Sequence, residues 1–123
     1  MISFDQFVLE DGSPIYVQII RHIKRGIVAG TIRDGDEMPS RRVLSALLGV
    51  NPNTVQKAYR MLEEEGIIAS HTGAKSYVVA DEAHAAQIRA QLLESDSRSV
   101  IGALKQMGLS KEEALALIDK LWD

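Results

Sequence analysis

Asn53, Thr54, Gln56 and Lys57 stand close together in the run Val50-Asn-Pro-Asn-Thr-Val-Gln-Lys-Ala-Tyr59, and their side chains suit one kind of chemistry. A carboxamide donates and accepts side by side, which matches the exposed edge of an adenine. A threonine methyl can meet a thymine methyl, and a lysine can neutralise a phosphate. Charge is sorted around the run. The twenty-five residues from Met38 to Leu62 hold no acid and four bases, Arg41, Arg42, Lys57 and Arg60. Asp34, Asp36 and Glu37 precede this window, and Glu63, Glu64 and Glu65 follow it. Catalysis finds no comparable support. No nucleophile–base arrangement is visible, and His22, His71 and His84 are far apart without metal-ligand spacing, so they read as surface residues. No enzyme activity, metal or cofactor is expected.

Two short helices must position these groups. Ser40 is a natural N-cap, with Val43, Leu44, Leu47 and Leu48 on one face of the helix it starts, and Gly49 able to take the left-handed conformation that ends it. Asn51 caps the second helix and Pro52 opens it, where a missing N–H costs nothing. Its buried face is Val55, Ala58, Tyr59 and Leu62, and the rest of its first two turns is polar or basic. Such a pair is a helix-turn-helix whose second helix shows its first turn outward.

Upstream, residues 1–12 alternate weakly (Ile2, Phe4, Phe7, Val8, Leu9) and read as an arm packed on the body. Ser13-Pro14 starts a helix with the stripe Ile15, Ile19, Ile23 and Ile27, widened by Tyr16 and Ile20 and ended by Gly30. Ile32 anchors a short strand in the connection that follows. Downstream of Gly66 the period turns from helical to alternating. Ile67–Ser70 and Ser76–Ala80 read as strands around His71-Thr-Gly-Ala-Lys75, and a hairpin behind such a helix is a wing. Gly73 at its tip lets backbone approach a phosphate, and Lys75 can neutralise one.

From Asp81 the chain is helical. Ala83 to Met107 has no proline and one glycine, Gly102. The polar stretch 94–99 leaves one helix or two open, one with a weak centre being the expectation. Gly108 ends it, and Ser110-Lys-Glu-Glu113 is a capping box that starts the last helix. This gives a winged helix-turn-helix over 1–80 and a helical tail over 81–123. Val100, Ile101, Leu104, Met107, Leu115, Ile118, Leu121 and Trp122 are more apolar surface than two helices can hide, so the tail of a second copy is the expected cover.

Bulk composition bounds rather than identifies. The chain has 123 residues, 46% hydrophobic, no cysteine and a net charge of −3. No apolar run has membrane length and no signal-peptide pattern opens the chain, so a reducing cytoplasm is the expected setting. Residues 1–80 carry nine bases and nine acids, and residues 81–123 five and eight. The electrostatic argument therefore rests on local sorting alone.

The chain resembles the GntR family of bacterial transcription regulators, in particular its short YtrA-type branch. The stretches that carry the resemblance are Ser13-Pro-Ile-Tyr-Val-Gln-Ile19, Gly30-Thr-Ile-Arg-Asp-Gly-Asp-Glu-Met-Pro-Ser40, Leu47-Leu-Gly-Val-Asn-Pro-Asn-Thr-Val-Gln-Lys-Ala-Tyr59 and Gly66-Ile-Ile68. The resemblance implies a mainly α fold with a small β wing, a homodimer, double-stranded operator DNA as partner, and repression of a nearby operon, often one for an ABC transporter. It leaves no room for the larger effector-binding or aminotransferase-like domains of other branches, and a small-molecule effector stays open. By position it implies DNA contacts at Ser40, Arg42, Asn51, Asn53, Thr54, Gln56, Lys57, Thr72 and Gly73. Pro52 stands where many relatives outside the branch place an arginine. Lys75-Ser76-Tyr77 replaces the usual Gly-Thr-Phe of the wing.

In physical terms Arg41, Arg42, Lys57 and Lys75 are expected to anchor phosphates, with one of the two arginines alternatively reaching a guanine edge. Asn53, Thr54 and Gln56 are expected at base edges, and the helix start at Asn51 is expected as a further phosphate site. The rival reading is a winged helix used only as a protein-interaction module, against which the acid-free helix argues.

Overall fold

The computed structural model describes every residue except residue 11 and residues 72–74. It divides into two compact units, Met1–Arg89 and Ala90–Asp123. In chain order the elements are α1 (Ile15–Ala29), α2 (Arg41–Leu48), α3 (Pro52–Glu64), β1 (Ile68–His71), β2 (Lys75–Val78), α4 (Glu82–Gln106) and α5 (Lys111–Leu121).

α1 and α3 supply the centre of the first unit. Ile19, Ile23, Leu44, Val55, Ala58 and Leu62 are fully excluded from water, and Ile2 and Phe4 of the N-terminal arm close one side. The arm is only partly core: Val8 and Leu9 are exposed. His22, expected at the surface, is half-buried against Phe4 and Phe7, with Nε2 3.0 Å from the Ser3 carbonyl. α1 begins one residue later than the serine–proline pattern predicts. Pro14 occupies the N-cap position and no side chain caps it. The entry is held instead by Gln18, whose amide donates to the carbonyls of Glu10 (2.7 Å) and Ser13 (2.9 Å). Gly30 ends α1 at φ 84°, as its position requires.

Ile32 is buried but lies in no strand. Its side chain rests on α1 at Gly26, where an added Cβ would fall 2.6 Å from Ile32 Cγ1 and 3.2 Å from its Cβ. Alanine normally gains up to about 1 kcal/mol over glycine within a helix. Here overpacking costs about 1–3 kcal/mol and should win. Gly26→Ala is expected to lower the urea midpoint with an unchanged slope, and a raised midpoint would mean that Ile32 shifts freely.

The strand expected at Ile32 does not form; instead the connection pairs with β2 a few residues later through a single bridge. Gly35 N donates to Val78 O, Val78 N to Asp36 O and Met38 N to Ser76 O, each at 2.8 Å, with a bridge between Glu37 and Tyr77. This segment lies along one edge of β2, and β1 pairs antiparallel with the other, Ser70 opposite Ser76 and Ala69 opposite Tyr77. On β2, Ser76 and Val78 face inward while Lys75 is exposed. Ile2 N then donates to Glu37 O at 3.1 Å, which brings the arm to the same segment.

The inner face of α2 differs from the expectation. Leu44 and Ser45 are buried, while Val43 and Leu47 are exposed. A buried serine is tolerated because its hydroxyl donates to Val50 O at 2.7 Å, which also fixes the turn. Gly49 ends α2 in the left-handed region, φ 67°.

The polar stretch 94–99 does not divide α4, which runs unbroken from Glu82 to Gln106. Asp81 Oδ1 accepts from His84 N at 3.0 Å at its start, and this hydrogen bond holds the Asp81 carboxyl below its usual range. The capping box of α5 is present, with Ser110 Oγ accepting from Glu113 N at 3.1 Å and Glu113 Oε1 accepting from Ser110 N at 3.0 Å. In the second unit Val100, Ile101, Met107, Leu115, Ile118, Leu121 and Trp122 are exposed, Trp122 at 81%. Leu104 is half-buried beside Ile101, Leu115 and Ile118 in an apolar groove of about 500 Å³. Among the described residues no helix is long and apolar enough to cross a membrane.

Candidate nucleic-acid interface

α3 is capped as its sequence requires. Asn51 Oδ1 accepts from Asn53 N at 2.8 Å, and the Asn51 carbonyl accepts from Thr54 N at 3.0 Å. Pro52 has no N–H. The first turn of α3 therefore keeps no free backbone donor for an anion, and a phosphate there would meet only the helix dipole and the Asn51 amide group. At α2 the arrangement is more open. Ser40 Oγ accepts from Val43 N at 3.1 Å, whereas the backbone N–H groups of Arg41 and Arg42 meet no acceptor among the described residues.

Val55, Ala58, Tyr59 and Leu62 hold α3 against the body, as expected. With 3.6 residues per turn the opposite face carries Asn53, Gln56, Lys57 and Arg60, all exposed, and Thr54 sits half-buried at its margin. Arg60 belongs with these groups, as the polar or basic outer side of the first two turns predicts. It lies one turn beyond Gln56. Its link to Glu64 is loose at 3.8 Å, with both side chains well exposed.

The four basic residues expected at phosphates have different surroundings. Arg41 is engaged inside the protein: Nη2 donates to Glu63 Oε1 at 2.9 Å, and the guanidinium carbon lies 5.0 Å from the Tyr59 ring centre. Its Nε is buried with no hydrogen-bond partner among the described residues. The Tyr59 hydroxyl donates to Pro39 O at 2.6 Å, and burial pushes its pKa well above the ordinary phenol value, with Arg41 opposing the shift. Glu63 Oε1 also accepts from Ser70 Oγ at 3.1 Å. One carboxylate thus joins the start of α2, the end of α3 and β1.

Arg42 is exposed, and no carboxylate meets it among the described residues. Lys57 has its ammonium 4.1 Å from the centre of the Tyr16 ring on α1. Lys75 is exposed, with Nζ 4.0 Å from Glu37 Oε1. Thr72 and Gly73, the remaining wing positions, lie outside the described residues. The acids that follow the window have separate duties: Glu63 meets Arg41, Glu64 approaches Arg60, and Glu65 binds Lys24 at 3.1 Å. Glu63 and Glu65 are thereby drawn toward bases of the body, and Glu64 stays beside the outer face of α3.

Comparison with known proteins agrees with this geometry. The model of bacterial regulatory proteins of the gntR family matches residues 15–78. The HTH-type transcriptional repressor YtrA of Bacillus subtilis is 35% identical over 121 residues, covering 98% of this chain and 86% of that protein. A GntR family transcriptional regulator from Listeria monocytogenes has a similar structure, with a TM-score of 0.78 and 34% identity over 92% of this chain and 99% of that one. The DNA-binding domain of AraR in complex with operator ORX1 is similar at a TM-score of 0.51 and 27% identity, covering 59% of this chain and 88% of that one. With this helix-turn-helix, a two-stranded wing and these relatives, the chain belongs to the gntR family of bacterial regulatory proteins, DNA-binding transcription regulators.

Proposed function

We propose that the protein is a homodimeric repressor that binds a palindromic operator near its own gene, with an ABC-transporter operon as the target the family resemblance suggests. The observation that carries this reading is the outer face of α3, where Asn53, Gln56, Lys57 and Arg60 stand exposed with Thr54 at the margin. Asn53, Thr54 and Gln56 read base edges, and Arg42, Lys57, Arg60 and Lys75 contact phosphates, which supplies affinity but no sequence information. The second copy is held through the tail. The repressor role of the Bacillus relative supports repression, and the operator complex of AraR supports the docking surface.

Arg41 takes a different part. Its charge is already matched by Glu63, so it braces α2 against α3 and β1 instead of adding a phosphate contact. Arg42→Ala is expected to flatten the salt dependence of operator binding by about one unit of slope. Arg41→Ala should change that slope much less and lower the unfolding free energy by about 1–2 kcal/mol, the scale of a part-exposed charged hydrogen bond. Affinities measured across a salt series, with urea melts of the same proteins, separate the two. Equal loss of slope would return Arg41 to the interface.

The reading as a whole is tested by a mobility shift on the DNA upstream of the gene against an excess of random DNA. Selective retardation is expected. Retention no better than for random fragments would leave the interaction-module reading in its place.

A further inference from the structure

Four bases of the first unit meet a carboxylate: Lys24 with Glu65, Arg41 with Glu63, Arg60 with Glu64 and Lys75 with Glu37. Lys57 instead lies over an aromatic face, 4.1 Å from the Tyr16 ring centre, and no carboxylate meets it among the described residues. Tyr16 is half-buried, its ring packed on the edge of the core at the second residue of α1. The two residues are 41 positions apart in the sequence.

The physical difference matters. A carboxylate that orients a lysine also cancels its charge, and a phosphate must then compete with it. A ring face attracts the ammonium through its quadrupole and leaves the full charge in place. It also removes part of the rotamer freedom that a long side chain would otherwise lose on binding.

We propose that Tyr16 is a positioning residue for operator binding: its ring holds the Lys57 ammonium on the outer face of α3, oriented and un-neutralised, ready for a DNA phosphate. The inference rests on the reading of Lys57 as a phosphate contact. Tyr16 itself supplies the ring face, and its hydroxyl is not required.

Full-length protein carrying Tyr16→Leu is expected to bind operator and random DNA about two- to fivefold more weakly, the scale of an aromatic–ammonium contact at a part-exposed site. The salt slope should stay unchanged, because Lys57 still reaches its phosphate once bound. Tyr16→Phe should match the unaltered protein. Lys57→Ala should lose about one unit of slope, and adding Tyr16→Leu to it should cause no further loss. An equal Tyr16→Leu effect with and without Lys57 would overturn the proposal, since the tyrosine would then act through the core or its own DNA contact. A Tyr16→Phe loss as large as that of Tyr16→Leu would overturn it in favour of the hydroxyl. An unchanged slope in Lys57→Ala would instead remove the phosphate contact on which the proposal rests.

A second measurement needs no destabilising variant. In the free protein the ε-methylene protons of Lys57 should resonate upfield of ordinary lysines, and should stay there in Tyr16→Phe. Ordinary positions in both would show that the ring does not hold the ammonium, and would overturn the proposal without touching the DNA-binding reading.

Discussion

A chain ending at Arg89 is expected to sediment as a monomer and to bind the operator roughly 10²–10⁴-fold more weakly than the full chain, the usual scale for losing a second linked site. The cut is placed at Arg89 because Ile88 lies in the core of the first unit, and ending at Asp81 would remove it. The shortened chain keeps that core and should fold. What it loses is the apolar set of the second unit, where Val100, Ile101, Met107, Leu115, Ile118, Leu121 and Trp122 are exposed and Leu104 lines the groove. Fully burying one such side chain is worth about 1.5–3 kcal/mol. Eight on each of two copies can therefore outweigh an association cost of about 4–15 kcal/mol. Leu104→Asp in the full chain should shift the protein the same way without removing any element. A shortened chain that stays dimeric at micromolar concentration would place the interface in the first unit.

Replacing Thr54 or Gln56 with alanine should weaken operator binding by about 1–3 kcal/mol and blur the preference at one operator position, while binding to random DNA barely changes. The asymmetry follows from geometry. Gln56 is exposed on the outer face of α3 and takes no part in its capping, so its loss should leave the fold intact. Thr54 is half-buried at the margin, so its variant also needs a melt to show that the fold is unchanged. Competition binding on operator and random fragments decides. Equal losses on both would make these residues phosphate contacts or structural supports.

Features that depend on a few neighbouring residues were legible in the sequence. The caps at Ser40, Asn51 and Ser110, the left-handed glycines at 30 and 49, and the buried face of α3 all follow from local hydrogen bonding and period. The interior of α2 was not legible. Eight residues make barely two turns, and the inward place of Ser45 depends on a carbonyl beyond the turn, at Val50. The pairing of residues 35–38 was not legible because it is fixed by β2, some forty residues later, and not by their own alternation.

The candidate face itself was readable, since side chains three and four apart on one helix must share a side. The surroundings of its basic groups were not. Arg41 finds Glu63 twenty-two residues on, and Lys57 finds Tyr16 forty-one residues back, through the packing of α1, α2 and α3. Neither pairing leaves a local signature.

The central claim is that two copies read one palindromic site. Sequencing the genomic fragments retained by the purified full-length protein, in salt high enough to strip non-specific complexes, tests it most directly. The account predicts one inverted repeat enriched among them, its half-site centres about one helical turn apart, roughly 34–36 Å. It also predicts that the repeat lies upstream of the protein's own gene. Retained fragments that share no sequence, or share a single unrepeated site, would contradict it.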